Sequence, residues 1–118
     1  MNPPALEAEL QKVRQLMLQK QYAEALSLLA KAAALQPNNA QYSYVYAVAL
    51  QSSGKVDQAI KILEQTHKRR PADLPVLQAL VSFERQKGDL RSAKVYAEQL
   101  LQLSPDDPQA KALYNGLR

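Results

Sequence analysis

The 118-residue chain contains no cysteine. That excludes a disulfide framework, a thiolate zinc site, a cysteine nucleophile and haem attachment through C-x-x-C-H. Histidine occurs once, at His67, and a single histidine without cysteine does not make a transition-metal site. With no Ser and Asp set around it in a recognisable motif, His67 reads as a solvated or partly packed helix residue. Three glycines are too few for a phosphate-cradling loop. Tryptophan is absent and phenylalanine occurs once, which, beside many Ala, Leu and Gln, favours helices over a sheet of β-branched strands. No run approaches the ~18 apolar residues of a membrane span, and Met1-Asn2-Pro3-Pro4 lacks the basic and apolar stretches of an export signal. The expectation is a cytosolic protein, or a piece of a longer one whose targeting segment lies elsewhere. A cysteine-free chain suits cytosol and periplasm equally. Apolar residues at 47% and charged residues at 22% are ordinary for a folded chain, so residues 1–118 read as one domain held by packing.

Positive charge is in modest excess, 15 Lys and Arg against 11 Asp and Glu. The one tight basic run, Lys68-Arg69-Arg70, stands directly before Pro71 and has no aromatic residue interleaved as a base-stacking platform requires. It reads as a set of cations facing the carbonyl end of a helix, and no nucleic acid partner is expected. Carboxylates at Glu7, Glu9, Asp106 and Asp107 fall near expected helix N-termini, where the macrodipole favours them without any catalytic role. No acid and base pair emerges; the chain reads as a non-enzyme with no cofactor and no metal.

What the sequence does have is a period. Pro37, Pro71 and Pro105 are spaced by 34 residues, as are Gly54 and Gly88, and Ala25, Ala59 and Ala93. Three units follow, Leu6 to Asn39, Ala40 to Asp73 and Leu74 to Asp107. Each reads as two helices. In the second unit Ser43, Tyr46, Ala47 and Leu50 form one stripe at helical spacing, Ser53-Gly54-Lys55 interrupts, and Ala59, Ile60, Leu63 and Thr66 form another. The third repeats this with Leu77, Leu80 and Val81, a break at Lys87-Gly88-Asp89, then Ala93, Tyr96, Ala97, Leu100 and Leu103. Glycine supplies the left-handed conformation that ends the first helix of a unit, and Pro cannot continue the second. Asn39, Asp73 and Asp107 are capping residues at the next helix start, and Pro108 suits a first helical position. Beyond the third unit, Ala110, Leu113, Tyr114 and Leu117 form a last stripe, expected to be a capping helix over 108–117 that covers the end of the stack, with the start of a fourth repeat as the alternative.

The 34-residue helix-turn-helix unit, with Gly-Asp-Leu or Gly-Lys-Val at its turn and Pro at its end, resembles the tetratricopeptide repeat. The resemblance is carried by Gln86-Lys87-Gly88-Asp89-Leu90-Arg91-Ser92-Ala93 and by Ala32 through Leu35-Gln36-Pro37-Asn38-Asn39. The sequence departs from the pattern at Lys20, which stands where the other units have Gly, at Val13 and Val81, where the family usually has Gly or Ala, and at Arg69, in line with Leu35 and Leu103. The resemblance implies an all-α fold, a right-handed solenoid of three antiparallel helix pairs whose first helices line a concave surface. Some members bind chaperone tails through a clamp of Lys, Asn and Arg on those helices. The corresponding positions are Leu10, Arg14, Val45, Pro75 and Ala79, so that pattern is absent. A second resemblance, carried by Tyr42-Ser43-Tyr44-Val45-Tyr46-Ala47-Val48-Ala49-Leu50 and by Ser104-Pro105, is to the repeat region of some bacterial exported multihaem cytochromes.

The implied concave face is read by offset along the first helices. From Tyr42 to Leu50 the middle one is apolar almost all round, as in a helix that is buried on several sides or presents an apolar patch. Tyr42 and Tyr46 are expected in the core, Tyr44 and Val48 in a groove. The candidate peptide-binding groove is Leu10, Arg14, Met17, Gln41, Tyr44, Val45, Val48, Gln51, Gln78, Ser82 and Arg85. Leu10 and Met17 would extend an apolar floor, Arg14 and Arg85 supply cations, and Gln41, Gln51, Gln78 and Ser82 supply hydrogen-bonding groups. Such a surface suits a peptide with apolar anchors and a carboxylate. The expected function is a scaffold or adaptor that binds protein or peptide. The competing class is structural: a homo-oligomer, or a module docking within a larger, cytochrome-associated protein.

Overall fold

The computed structural model describes the backbone of residues 3–117 and the side chains of residues 8–117. Seven helices follow in order among the described residues: α1 (Pro3–Leu18), α2 (Tyr22–Leu35), α3 (Ala40–Ser52), α4 (Val56–Arg69), α5 (Leu74–Lys87), α6 (Leu90–Leu103) and α7 (Pro108–Asn115). Each packs against the next in sequence, and α3 also packs directly against α5. The first helices α1, α3 and α5 therefore share the inner side of an all-α solenoid, 39 × 29 × 22 Å in extent, and α7 covers its C-terminal end.

Both kinds of turn repeat in hydrogen-bonding detail. Within the units, Gln21, Lys55 and Asp89 donate their N–H to the carbonyls of Leu16, Leu50 and Glu84 at 2.8 to 2.9 Å, closing a Schellman turn around a left-handed residue. Glycine fills that place at Gly54 (φ 83°) and Gly88 (φ 93°), while Lys20 adopts it at φ 60° without glycine's freedom. Between units, the N–H groups of Asn39, Asp73 and Asp107 donate to Gln36, Arg70 and Ser104 at 3.0 to 3.1 Å. Those same three side chains then cap α3, α5 and α7, accepting from backbone N–H groups of the first helical turn. Unpaired donors at the starts of α3, α5 and α7 are thus satisfied by the residues the spacing marks.

Burial follows the stripes. Ala25, Ala59 and Ala93 are fully buried, small side chains where the two helices of each unit meet. The main core gathers Ala47, Leu50, Ala59, Ile60, Leu63, Val76, Ala79, Leu80 and Phe83 from α3, α4 and α5. Leu103 departs from expectation: it is 46% exposed, and its counterpart Leu35 is 82% exposed. The site aligned with Arg69 is therefore at the surface in every unit, and a cation costs nothing there. Arg69 instead donates to the Pro37 carbonyl at 2.8 Å, and Arg70 to the Asn38 carbonyl at 3.3 Å. The basic run lies at the end of α4, as the helix-end reading requires, and also ties one inter-unit loop to the next.

α7 buries Ala110 against Leu77 and Leu100, with Leu113 alongside. Where α5 presents buried Leu77 and Leu80, the 34-residue offset puts Lys111, exposed, and Tyr114, half-buried. One face of α7 closes the core and the other is polar, as a capping helix requires.

Candidate functional site

On the inner side, α1 and α3 diverge around a hollow of about 530 Å³. α1 contributes Val13, Arg14, Met17 and Leu18, α3 contributes Tyr44, Val45, Val48 and Ser52, and Tyr22 closes one end from the first turn of α2. Helical spacing explains the convergence: Arg14, Met17 and Leu18, like Tyr44, Val45 and Val48, fall three and four residues apart and share a face. Beneath the surface, Met17 and Val45 rest on a cluster of Val13, Leu16, Ala25, Leu29 and Ala49, which gives the floor a fixed shape. No residue from Tyr42 to Leu50 is exposed, and Tyr44, Val45, Tyr46 and Val48 are half-buried. Tyr46 packs onto the core clusters on either side of α3.

Arg14, Met17, Tyr44, Val45 and Val48 of the candidate groove thus come together in one place. The other six do not join them. Leu10 is only 4% exposed, packed with Tyr42 and against Ala32 and Val45; it supports the groove from within and forms no open floor. Gln41 lies at a separate hollow of about 610 Å³ on the α2–α3 loop, beside Gln36, Asn38, Arg70 and Asp73. Gln51 accompanies the polar half of the face, its side-chain amide donating to Gln86 of α5 at 2.9 Å. Ser82 and Arg85 are exposed on α5 and Gln78 half-buried there. The inner surface is therefore divided: apolar with one cation between α1 and α3, polar with a second cation along α5. Four lining residues lay outside the candidate set, Val13, Leu18, Tyr22 and Ser52; Val13 belongs to the buried cluster beneath the floor. Leu18 and Ser52 follow from extending the same faces by one residue; Tyr22 belongs to a second helix, which offset reading along first helices does not visit.

The electrostatics of the hollow are simple. Lys87–Asp57, at 3.2 Å, is the one ion pair among the described residues, so the exposed Arg14 and Arg85 keep their charge for a partner. Behind the groove, the Tyr42 hydroxyl donates to Glu9 at 2.5 Å. That bond, reinforced by burial, pushes the Tyr42 hydroxyl up to about 12, far from neutral titration. Glu9 is thereby a structural acceptor as well as an early α1 carboxylate. Among the described residues no group of three His, Asp or Glu is placed to hold a metal ion, and no helix is long and apolar enough to cross a membrane. The arrangement offers contact area, two cations and hydrogen-bonding amides.

Tetratricopeptide repeat family models match residues 16–82 and residues 74–107. Both matches are to the repeat itself; neither points to a haem protein. No curated protein matches the sequence. Among solved structures, the Arabidopsis OM64 TPR domain superposes with a TM-score of 0.77 at 20% identity, over 98% of this chain and 95% of that one. The Yersinia enterocolitica type III secretion chaperone SycD, in complex with a peptide of the translocator YopD, gives 0.80 at 14% identity, over 98% and 94%. The first TPR of Spaghetti (RPAP3), bound to an HSP90 peptide, gives 0.80 at 17% identity, over 99% and 93%. At these identities the likeness is one of fold.

Proposed function

Because the chain belongs to the tetratricopeptide repeat family, a fold that generally serves as a protein- or peptide-binding scaffold, we propose that it captures a segment of another protein along its inner face. The observation that carries this is the α1–α3 hollow, where Met17, Tyr44, Val45 and Val48 form an apolar floor beside an uncommitted Arg14. The segment places two or three apolar side chains between α1 and α3 and a carboxylate on Arg14, and its polar remainder runs toward Gln78, Ser82 and Arg85. Two of the compared structures hold peptides, which supports a peptide as occupant. The groove lacks the Lys, Asn and Arg clamp for chaperone tails, so apolar anchoring supplies most of the affinity and the cations supply register.

The test is selection of binders from a displayed random peptide library, followed by calorimetric titration of the enriched peptides. They are expected to share apolar anchors with a nearby carboxylate. Tyr44→Ala weakens them by roughly thirtyfold, the scale of a truncated aromatic hot spot, with a small fall in melting temperature because Tyr44 also packs on the main core, and Arg14→Ala by about tenfold without one. If Tyr44→Ala collapses the melting temperature, Tyr44 is core and the groove assignment fails. If light scattering instead finds a concentration-dependent oligomer that Val48→Asp dissociates, the face serves self-association.

A further inference from the structure

A carboxyl buried in the third unit breaks the repeat's own pattern. The 34-residue register aligns Glu84 with Leu16 and Leu50, and all three are buried, at 3% exposure for Glu84 against 8% and 3%. Glu84 Oε1 is buried without a hydrogen-bond partner, whereas buried polar atoms are ordinarily satisfied and buried charges ordinarily paired. The charged groups facing it are Asp57 and Glu64 from α4, Lys87 from α5 itself, and Asp89 at the start of α6. Three of these are carboxylates. Lys87, the one cation, is engaged by Asp57 at 3.2 Å. Asp89 accepts from the N–H and the hydroxyl of Ser92, and Glu64 accepts from the Tyr96 hydroxyl at 3.1 Å. His67 of α4 stands edge-on to the Tyr96 ring, centroids 5.8 Å apart, its Nδ1 also buried and unpartnered. No donor in this cluster is hydrogen-bonded to Glu84 Oε1, and the charge of Lys87 is the one nearby influence that favours the ionised form.

We propose that Glu84 is a pH-sensing element of the third unit: protonated, it fills a leucine's place and lets α5 pack on α4 and α6; ionised, it loosens that packing. Burial first, then the neighbouring carboxylates, hold its carboxyl above the ordinary 4.5. The folded chain therefore keeps a proton that the unfolded chain releases near that value. The associated stability is complete below the unfolded pKa and is lost as pH rises through the folded one. Asp89 behaves oppositely: its bonds from Ser92 lower its pKa, so its contribution is lost on acidification. Ser82 and Arg85 also belong to α5, so loosening reaches the polar half of the groove. That last consequence rests on the binding reading above; the role of the carboxyl does not.

The experiment follows the Glu84 carboxyl ¹³C shift against pH in the full chain, assigned with Glu84→Gln, alongside urea midpoints of both proteins from pH 4.5 to 8. A titration midpoint above 4.5 is expected, with the wild-type urea midpoint falling relative to Glu84→Gln as pH rises. Each unit of elevation corresponds to a tenfold relative loss in the folding equilibrium constant. Amide protection in α5 and α6 should fall with pH in the wild type and hold in Glu84→Gln. A midpoint at or below 4.5, or parallel urea profiles, overturns the proposal, as does a pH-dependent loss of protection spread evenly over all units. Should Glu84→Gln fail to fold, Glu84→Leu restores the residue of the other two units, and the wild-type titration stands alone.

Discussion

The first and third units follow one template and use it differently. In the third, Val76, Leu77, Leu80 and Val81 are fully buried in α5, Gly88 makes the turn, and Asp89 caps α6. In the first, the residues aligned with Leu77 and Leu80 are Glu9 and Lys12, both exposed. Lys20 makes the turn without glycine's freedom, and Gln21 gives α2 no side-chain cap. The first unit has the weaker local signals, and it supplies four residues of the apolar hollow from α1 and Tyr22 from α2. The third is sealed between α4 and α7 and carries the buried Glu84. Binding surfaces are drawn from the less stable parts of a structure. Here one wall of the candidate groove comes from the less strongly specified unit, and the interior acid lies among the fully buried residues of the third.

Core truncation tests that contrast with the largest effect. Leu80→Ala, fully enclosed, should cost about 4 kcal/mol by urea denaturation, and Leu16→Ala, 8% exposed near the end of the array, about 2 kcal/mol. Amide exchange should show Leu16→Ala opening α1 and α2 ahead of the rest, and Leu80→Ala destabilising the chain as a whole. Equal costs with uniform exchange would mean that the two units are energetically alike.

The architecture was legible because its markers are local. Pro37, Pro71 and Pro105, Gly54 and Gly88, and the caps Asn39, Asp73 and Asp107 each act within a few residues of themselves. The candidate site was legible by half. Helical spacing brings Arg14, Met17, Tyr44, Val45 and Val48 to one face, and they line one hollow. Leu10 shares that spacing yet is buried, because Tyr42, Ala32 and Val45 close over it, and no pattern within α1 announces residues so far along the chain. Arg69 and Arg70 illustrate the same limit, since their acceptors are carbonyls of a loop 32 residues away. Glu84 was visible in register as an acid in a leucine's place, but its missing partner depends on where the side chains of α4 and α6 lie.

The turn residue gives the next effect in size. Lys20→Gly should stabilise the chain by about 1 kcal/mol, since a residue with a side chain is strained at φ 60° and glycine is not. Gly88→Ala should destabilise it by a similar amount, and through the backbone alone, because an added Cβ at Gly88 meets nothing within 4 Å. A stability gain from Lys20→Gly below the error of a urea titration would show that the first turn is not the weaker one.

Capping gives the smallest difference and isolates the local term most cleanly. Gln21 and Asp89 occupy equivalent places before α2 and α6 with similar backbones, φ −92° and ψ 63° against φ −88° and ψ 80°. Asp89 accepts from the N–H of Ser92 at 3.0 Å, and the matching donor in the first unit is the N–H of Glu24. Gln21→Asp should therefore install the missing cap, and its charge would also complement the positive end of the helix dipole. The expected gain is about 0.5 kcal/mol, because the new carboxylate stands three residues from Glu24 and part of the capping energy goes to their repulsion. Adding Glu24→Gln to Gln21→Asp should raise the gain. If the double variant is no more stable than the single one, repulsion is not what limits the cap. A Gln21→Asp that leaves α2 exchange unchanged would locate the weakness of the first unit in its exposed packing instead.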